Sequence, residues 1–132
     1  MNLEVQGFNN SNFIEKFAKF LKKELQIDKG NISIYPMEEE VHLQSRANGL
    51  CIDSSEDDFI LLIYENKRSI DKVFNTIAHE MIHVKQFIKE NLNHYLDTCL
   101  DIPYDERWWE KEAKTESWNL VLKYVDYLNE NN

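Results

Sequence analysis

The chain of 132 residues carries 15 Lys and Arg against 24 Asp and Glu, a formal charge of −9 with its four histidines neutral. Hydrophobic residues make up 42%, enough to bury a core, while three Gly, two Pro and two Cys exclude collagen-like, low-complexity and disulfide-scaffold architectures. The negative charge, with no basic run longer than Lys22-Lys23, argues against a nucleic-acid partner.

Asn9-Asn10-Ser11-Asn12 clusters helix-capping residues, and Phe13, Ile14, Phe17, Phe20, Leu21 and Leu25 follow at three- and four-residue intervals. This pattern predicts an amphipathic helix over residues 11–26, broken by Asp28-Lys29-Gly30-Asn31. The period then becomes two: Ile32 and Ile34, then Val41 and Leu43, alternate with polar residues on either side of Pro36, predicting two short strands. Asn48-Gly49 is a turn signal before Leu50-Cys51-Ile52, and an acidic turn at residues 54–58 precedes the apolar run Phe59-Ile60-Leu61-Leu62-Ile63-Tyr64. The short connections predict a small, mostly antiparallel sheet.

From Ser69 the helical period returns, with Ile70, Val73, Phe74, Ile77, Met81, Val84 and Ile88 on one stripe as far as residue 90. Residues 91–104 read as irregular, and Pro103 opposes helix there. A last helix over residues 105–129 carries Trp109, Ala113, Leu120, Val121, Tyr124, Val125 and Leu128. Without repeats or linkers, residues 1–132 read as a single α+β domain in the order helix, strands, helix, helix.

The second long helix contains His79-Glu80-Met81-Ile82-His83. Imidazoles four residues apart lie on one side of a helix, so their nitrogens can converge on one Zn²⁺, and the intervening Glu is near enough to take a proton from a metal-activated water. On a helical wheel His79 and His83 point together, away from the centre of the apolar stripe and alongside Thr76 and Phe87, as on a helix between a core and a cleft. The contrasting reading is a helix whose histidines are solvated or buried neutral.

A catalytic zinc usually takes three protein ligands. His94 stands in irregular chain without the spacing or Gly of the extended metzincin motif, and His42 lies in the strand region. The last helix offers Glu106, Glu110, Glu112 and Glu116. Taking Ala113, Leu120, Tyr124 and Leu128 as the inward direction, Glu110 falls within about 30° of it, whereas Glu112 points nearly the opposite way. Glu106 shares the inward face but sits at the helix start, where a carboxylate has an ordinary role facing the macrodipole. Glu110 is therefore the better ligand; an ion pair with Lys114 or Arg107 is its competing role.

His79-Glu80-Met81-Ile82-His83 followed by Glu110-Lys111-Glu112-Ala113 resembles the minimal gluzincin metallopeptidases. In these a helix, a small sheet, the His-Glu-x-x-His helix and a later helix supplying Glu make up the catalytic domain. Residues 107–113 are also similar to the segment that follows the zinc helix in small, often phage-encoded, metallopeptidase-like proteins. Lys114 stands where gluzincins commonly place an Asp or Asn that supports a metal-bound His. His-Glu-Met-Ile-His further resembles the SprT-like proteases, but the His-Gly segment that supplies their third ligand is absent.

The resemblance implies a zincin-like fold in which Zn²⁺ is held by His79, His83 and Glu110, with Glu80 as general base and later acid toward the leaving amine. It also implies an edge strand that pairs with an extended peptide substrate. Residues 59–64 are a candidate for that strand, against the alternative of a central buried one. Tyr104 and Tyr95 are candidate oxyanion donors. The expected activity is zinc-dependent hydrolysis of peptide or protein substrates, the alternatives being a catalytically silent zinc-binding module and an SprT-like protease. No stretch approaches the roughly 20 apolar residues that span a bilayer, and no export signal is visible. A cytoplasmic protein with no membrane partner, and with Cys51 and Cys99 reduced, is expected.

Overall fold

In the computed structural model, which describes residues 2–99 and 101–131, the chain begins with β1 (Asn2–Val5), α1 (Ser11–Glu24) and β2 (Asn31–Pro36). It continues through α2 (Glu39–Ser45), the hairpin β3 (Gly49–Ser55) and β4 (Asp58–Ile63), then α3 (Ile70–Lys89). The short α4 (Leu92–Thr98), a 3₁₀ turn at Tyr104–Glu106 and α5 (Trp108–Glu130) complete this α+β arrangement.

The sheet order is β1-β2-β4-β3. It is mixed rather than mostly antiparallel: β1 with β2 and β2 with β4 run parallel, and only β3 with β4 is antiparallel. Short connections misled the expectation for two reasons. α1 carries the chain over from β1 to the parallel β2. β3 is laid outside β4, so that β2 and β4, separated in sequence by α2 and β3, become neighbours.

The apolar run at residues 59–64 is consequently the central strand β4, and the edge strand beside α3 is β3. Val41 and Leu43 lie in α2 rather than a strand. Two alternating residues are too few to outweigh Pro36, which closes β2, and Glu39 and Glu40, which suit the positive end of a helix. α2 buries nothing, and Leu43 is 67% exposed. Residues 92–98 are helical, because Pro103 lies beyond α4 and restricts only the chain next to itself.

One sheet face is apolar. Ile32 pairs with Phe59 and Ile34 with Leu61, and all four are buried together with Ile63. α1 covers this face with Ile14, Phe17, Ala18 and Leu21, and α3 with Ile77, Met81 and Val84. α5 packs on α3 and α1 as an outer layer, so α3 is buried on two sides. Phe17 stacks on Phe74 with ring centroids 4.2 Å apart, and Tyr124 closes the cluster. No helix among the described residues is long and apolar enough to cross a membrane.

Gly30 turns the chain into β2 at φ +90°, and a Cβ there would stand 2.2 Å from the Asp57 carbonyl oxygen, which accepts the Asn31 N–H at 2.9 Å. Gly30→Ala is expected to cost about 2 kcal/mol. A lowered denaturant midpoint is the readout, and an unchanged one contradicts this close approach.

Candidate functional site

α3 passes between the sheet and α5 with two faces to satisfy. Its apolar stripe meets the sheet and α1, and its second face carries Thr76, Glu80, His83 and Gln86, all buried polar residues. On α5 the facing residues Ala113 and Ser117 are small and buried, which lets the two helices approach. One turn before Ala113, Glu110 is brought over the α3 histidines.

The Glu110 Oε1 lies 3.1 Å from His79 Nε2 and 3.3 Å from His83 Nε2. One donor atom from each of His79, His83 and Glu110 falls within 4.8 Å of the others, and the two imidazoles meet edge to face. Donors around a tetrahedral zinc at ordinary bond lengths stand about 3.3 Å apart. The two Glu110 contacts are at that spacing, all three donors lie within 4.8 Å, and two nitrogens and a carboxylate largely withdrawn from water fit a zinc ion.

Burial and mutual contact set the charges of the cluster. Burial disfavours the Glu110 charge, but the His79 and His83 imidazoles and the Tyr104 hydroxyl beside it outweigh that and hold the carboxyl well below the usual range. Burial alone would lower His83, yet the Glu110 and Glu80 carboxylates raise it. Burial pushes Glu80 up; His83 and His79 pull it back, and the Glu110 charge adds to the rise. The phenol of Tyr104, pushed up by its own burial and by Glu110, stays a donor and gives its hydrogen to Glu110 Oε1 at 2.9 Å.

The other residues singled out in the sequence lie elsewhere. Glu112 is turned from the cluster toward Gln86 Nε2 and Lys85 Nζ, each at 3.0 Å. Lys114 pairs with Asp105 at 2.7 Å rather than with Glu110. The Arg107 Nε donates to the Ile102 carbonyl, and its guanidinium lies over the Tyr104 and Trp109 rings. His42 stacks on Tyr64 with its Nδ1 2.9 Å from the Ala47 carbonyl, and His94, on α4, meets the edge of Tyr95. Tyr95 stands edge-on to Trp108. Glu106 ends the 3₁₀ turn, before α5 begins.

Two cavities meet at the cluster. One, of about 290 Å³, is walled by Leu50, Cys51, Phe87, Leu92, Leu96 and Trp109. The other, of about 420 Å³, is walled by Arg46, Asn48, Asn75 and Thr76, and both are bordered by Gly49, His79, Glu80 and Tyr104. Register explains the β3 contribution: Gly49 and Cys51 stand opposite Ile63 and Leu61, on the helix-facing side. Burial pushes the Cys51 thiol well above its usual value, so it is a neutral wall there.

Gly49, which reads in the sequence only as a turn residue, has a tighter role. A Cβ on it would come within 2.6 Å of Thr76 Cγ2 and 2.9 Å of Glu80 Oε2. Gln86 likewise escaped the sequence reading; its only signal is a polar residue three places after His83 on a helix face that is otherwise enclosed.

Over residues 10–102 the chain matches the family model described as "Predicted Zn-dependent protease (DUF2268)". Neither the comparison with curated proteins nor that with solved structures gave a significant match. The matched span takes in all of α3 and ends before α5, so the place of Glu110 rests on the geometry above. Because the match covers well over half of the chain and includes the helix bearing His79, Glu80 and His83, the chain belongs to this family of predicted zinc-dependent proteases.

Proposed function

We propose that the protein is a single-domain, zincin-like metallopeptidase of gluzincin type that hydrolyses peptide bonds in the cytoplasm. The observation that carries this reading is the convergence of His79, His83 and Glu110 donor atoms with Glu80 on the same helix face. Zinc held by those three would act as a Lewis acid and lower the pKa of water.

The chain's own groups supply the rest. Glu80, enclosed yet bordering both cavities, takes a proton from the attacking water and returns it to the leaving amine. Its raised carboxyl is suited to both directions of that transfer. Tyr104, a protonated phenol at the border of both cavities, donates to the substrate carbonyl oxygen as charge builds on it.

The free edge of β3 pairs with an extended substrate, holding the scissile bond beside Glu80. The apolar cavity then receives a hydrophobic side chain on one side of that bond, and the cavity beside Arg46 and Asn75 a polar one on the other. The charge of −9 favours basic or neutral polypeptides over acidic ones as substrates.

The test is cleavage of an unfolded, dye-labelled polypeptide. Hydrolysis should follow bound zinc, stop with a chelator and return on zinc addition; a zinc-loaded chain that cleaves no such substrate contradicts the proposal. A second expectation concerns Gly49. Gly49→Ala displaces the Glu80 carboxylate and should lower the hydrolysis rate by about tenfold or more while zinc affinity holds, since a small misplacement of a reacting group is costly. An unchanged rate would separate β3 from the positioning of Glu80.

A further inference from the structure

Behind His83, on the side away from the cleft, stands a chain of polar contacts to which the proposed chemistry gives no role. Gln86 is completely buried, one turn after His83 on α3. A buried carboxamide must place both its oxygen and its nitrogen against partners. Its Nε2 donates to the Trp109 carbonyl and to Glu112 Oε1, each at 3.0 Å, and its Oε1 lies 2.7 Å from His83 Nδ1. The reversed amide would set oxygen against a carbonyl and a carboxylate, so its orientation is determined by α5.

With Gln86 Oε1 facing it, His83 Nδ1 carries the hydrogen and donates. Nε2 is then the nitrogen left to face Glu110 and His79. Glu112 is in turn held by Lys85 at 3.0 Å, and Lys85 also reaches Glu90 at 3.2 Å. Residues 109, 110 and 112 of α5 thus act on one imidazole from two directions. Glu110 meets its Nε2, and the Trp109 carbonyl with Glu112 orients the amide that holds its Nδ1.

We infer that Gln86 and Glu112 are positioning residues for the metal centre: Glu112 sets the Gln86 amide, and Gln86 fixes the tautomer and ring plane in which His83 presents Nε2. This gives the second carboxylate of Glu110-Lys111-Glu112 a role distinct from ligation. The inference rests on the proposed reading of His83 as a zinc ligand.

The test uses the full chain, with zinc affinity measured by competition with a chelating dye and with the visible spectrum of the cobalt(II)-substituted protein. Gln86→Leu should weaken zinc by about 10- to 100-fold and shift the cobalt bands, the range found for partners of ligating histidines. Glu112→Ala should weaken it by about tenfold and shift the cobalt bands in the same direction. Glu112→Gln, whose side-chain oxygen still accepts from Gln86 Nε2, should restore both the affinity and the spectrum.

Parental affinity and spectrum in both Gln86→Leu and Glu112→Ala would overturn the inference while leaving the metal site standing. A Glu112→Gln variant as weak as Glu112→Ala would overturn the hydrogen-bond chain in favour of a charge effect. Should Gln86→Leu fail to fold, the half-buried Glu112 pair decides alone. A parent chain that binds no zinc removes the metal site itself, and this inference with it.

Discussion

Glu80→Gln is expected to lower peptide hydrolysis by about a thousandfold, the middle of the range for loss of a positioned general base, while the protein still binds one zinc per chain. The amide keeps the shape of the side chain but cannot take the proton that the proposed reaction gives to Glu80. The buried setting sharpens the contrast, because no other carboxylate stands between the two histidines on that face of α3. Glu110, the nearest alternative base, is engaged by both imidazoles and by the Tyr104 hydroxyl. Since burial disfavours the Glu80 charge, the neutral variant should unfold at a temperature no lower than the parent's. Paired rate and metal-content measurements check this, and hydrolysis within tenfold of the parent would remove Glu80 from the chemistry.

Glu110→Gln should weaken zinc binding by more than about 100-fold, since even an outer partner of a ligand is worth 10- to 100-fold. The neutral amide is a poor zinc donor, because it gives up the charge of the carboxylate. Glu112→Gln is the matched control two residues away, and it should retain zinc. Chelator competition on the two variants discriminates directly. Loss of zinc in Glu112→Gln with retention in Glu110→Gln would exchange the roles of the two carboxylates.

Elements whose burial obeys one simple period were readable in the sequence. The 3.6-residue stripe of α3 runs from Val73 to Val84 against the sheet and α1, and the paired histidines on its other face needed only the geometry of a single helix. The wheel drawn on residues 105–129 turned Glu110 inward, and its Oε1 stands 3.1 Å from His79. The helix itself starts later, at Trp108, because the chain leaving Pro103 first tightens into a 3₁₀ turn.

What escaped depends on partners distant in sequence. β1 is four residues long and is defined by pairing with β2, 29 positions away. The parallel order follows from where β3 is laid, not from any property of its own residues. α4 buries only Leu92 among its seven residues, which is too little for a hydrophobic period, yet it supplies Leu92 and Leu96 to the wall of the cleft. Gln86 reads as an ordinary polar residue until α5 covers it. Its meaning lies in the Trp109 carbonyl and the Glu112 carboxylate, and no local pattern announces either.

The central claim is that one ion is shared by side chains from α3 and α5. It is tested most directly by locating zinc through its anomalous scattering in a crystal of the zinc-loaded protein. A single zinc ligated by His79 Nε2, His83 Nε2 and a Glu110 oxygen is the result predicted. Zinc ligated without Glu110, or bound away from α3, would contradict the account.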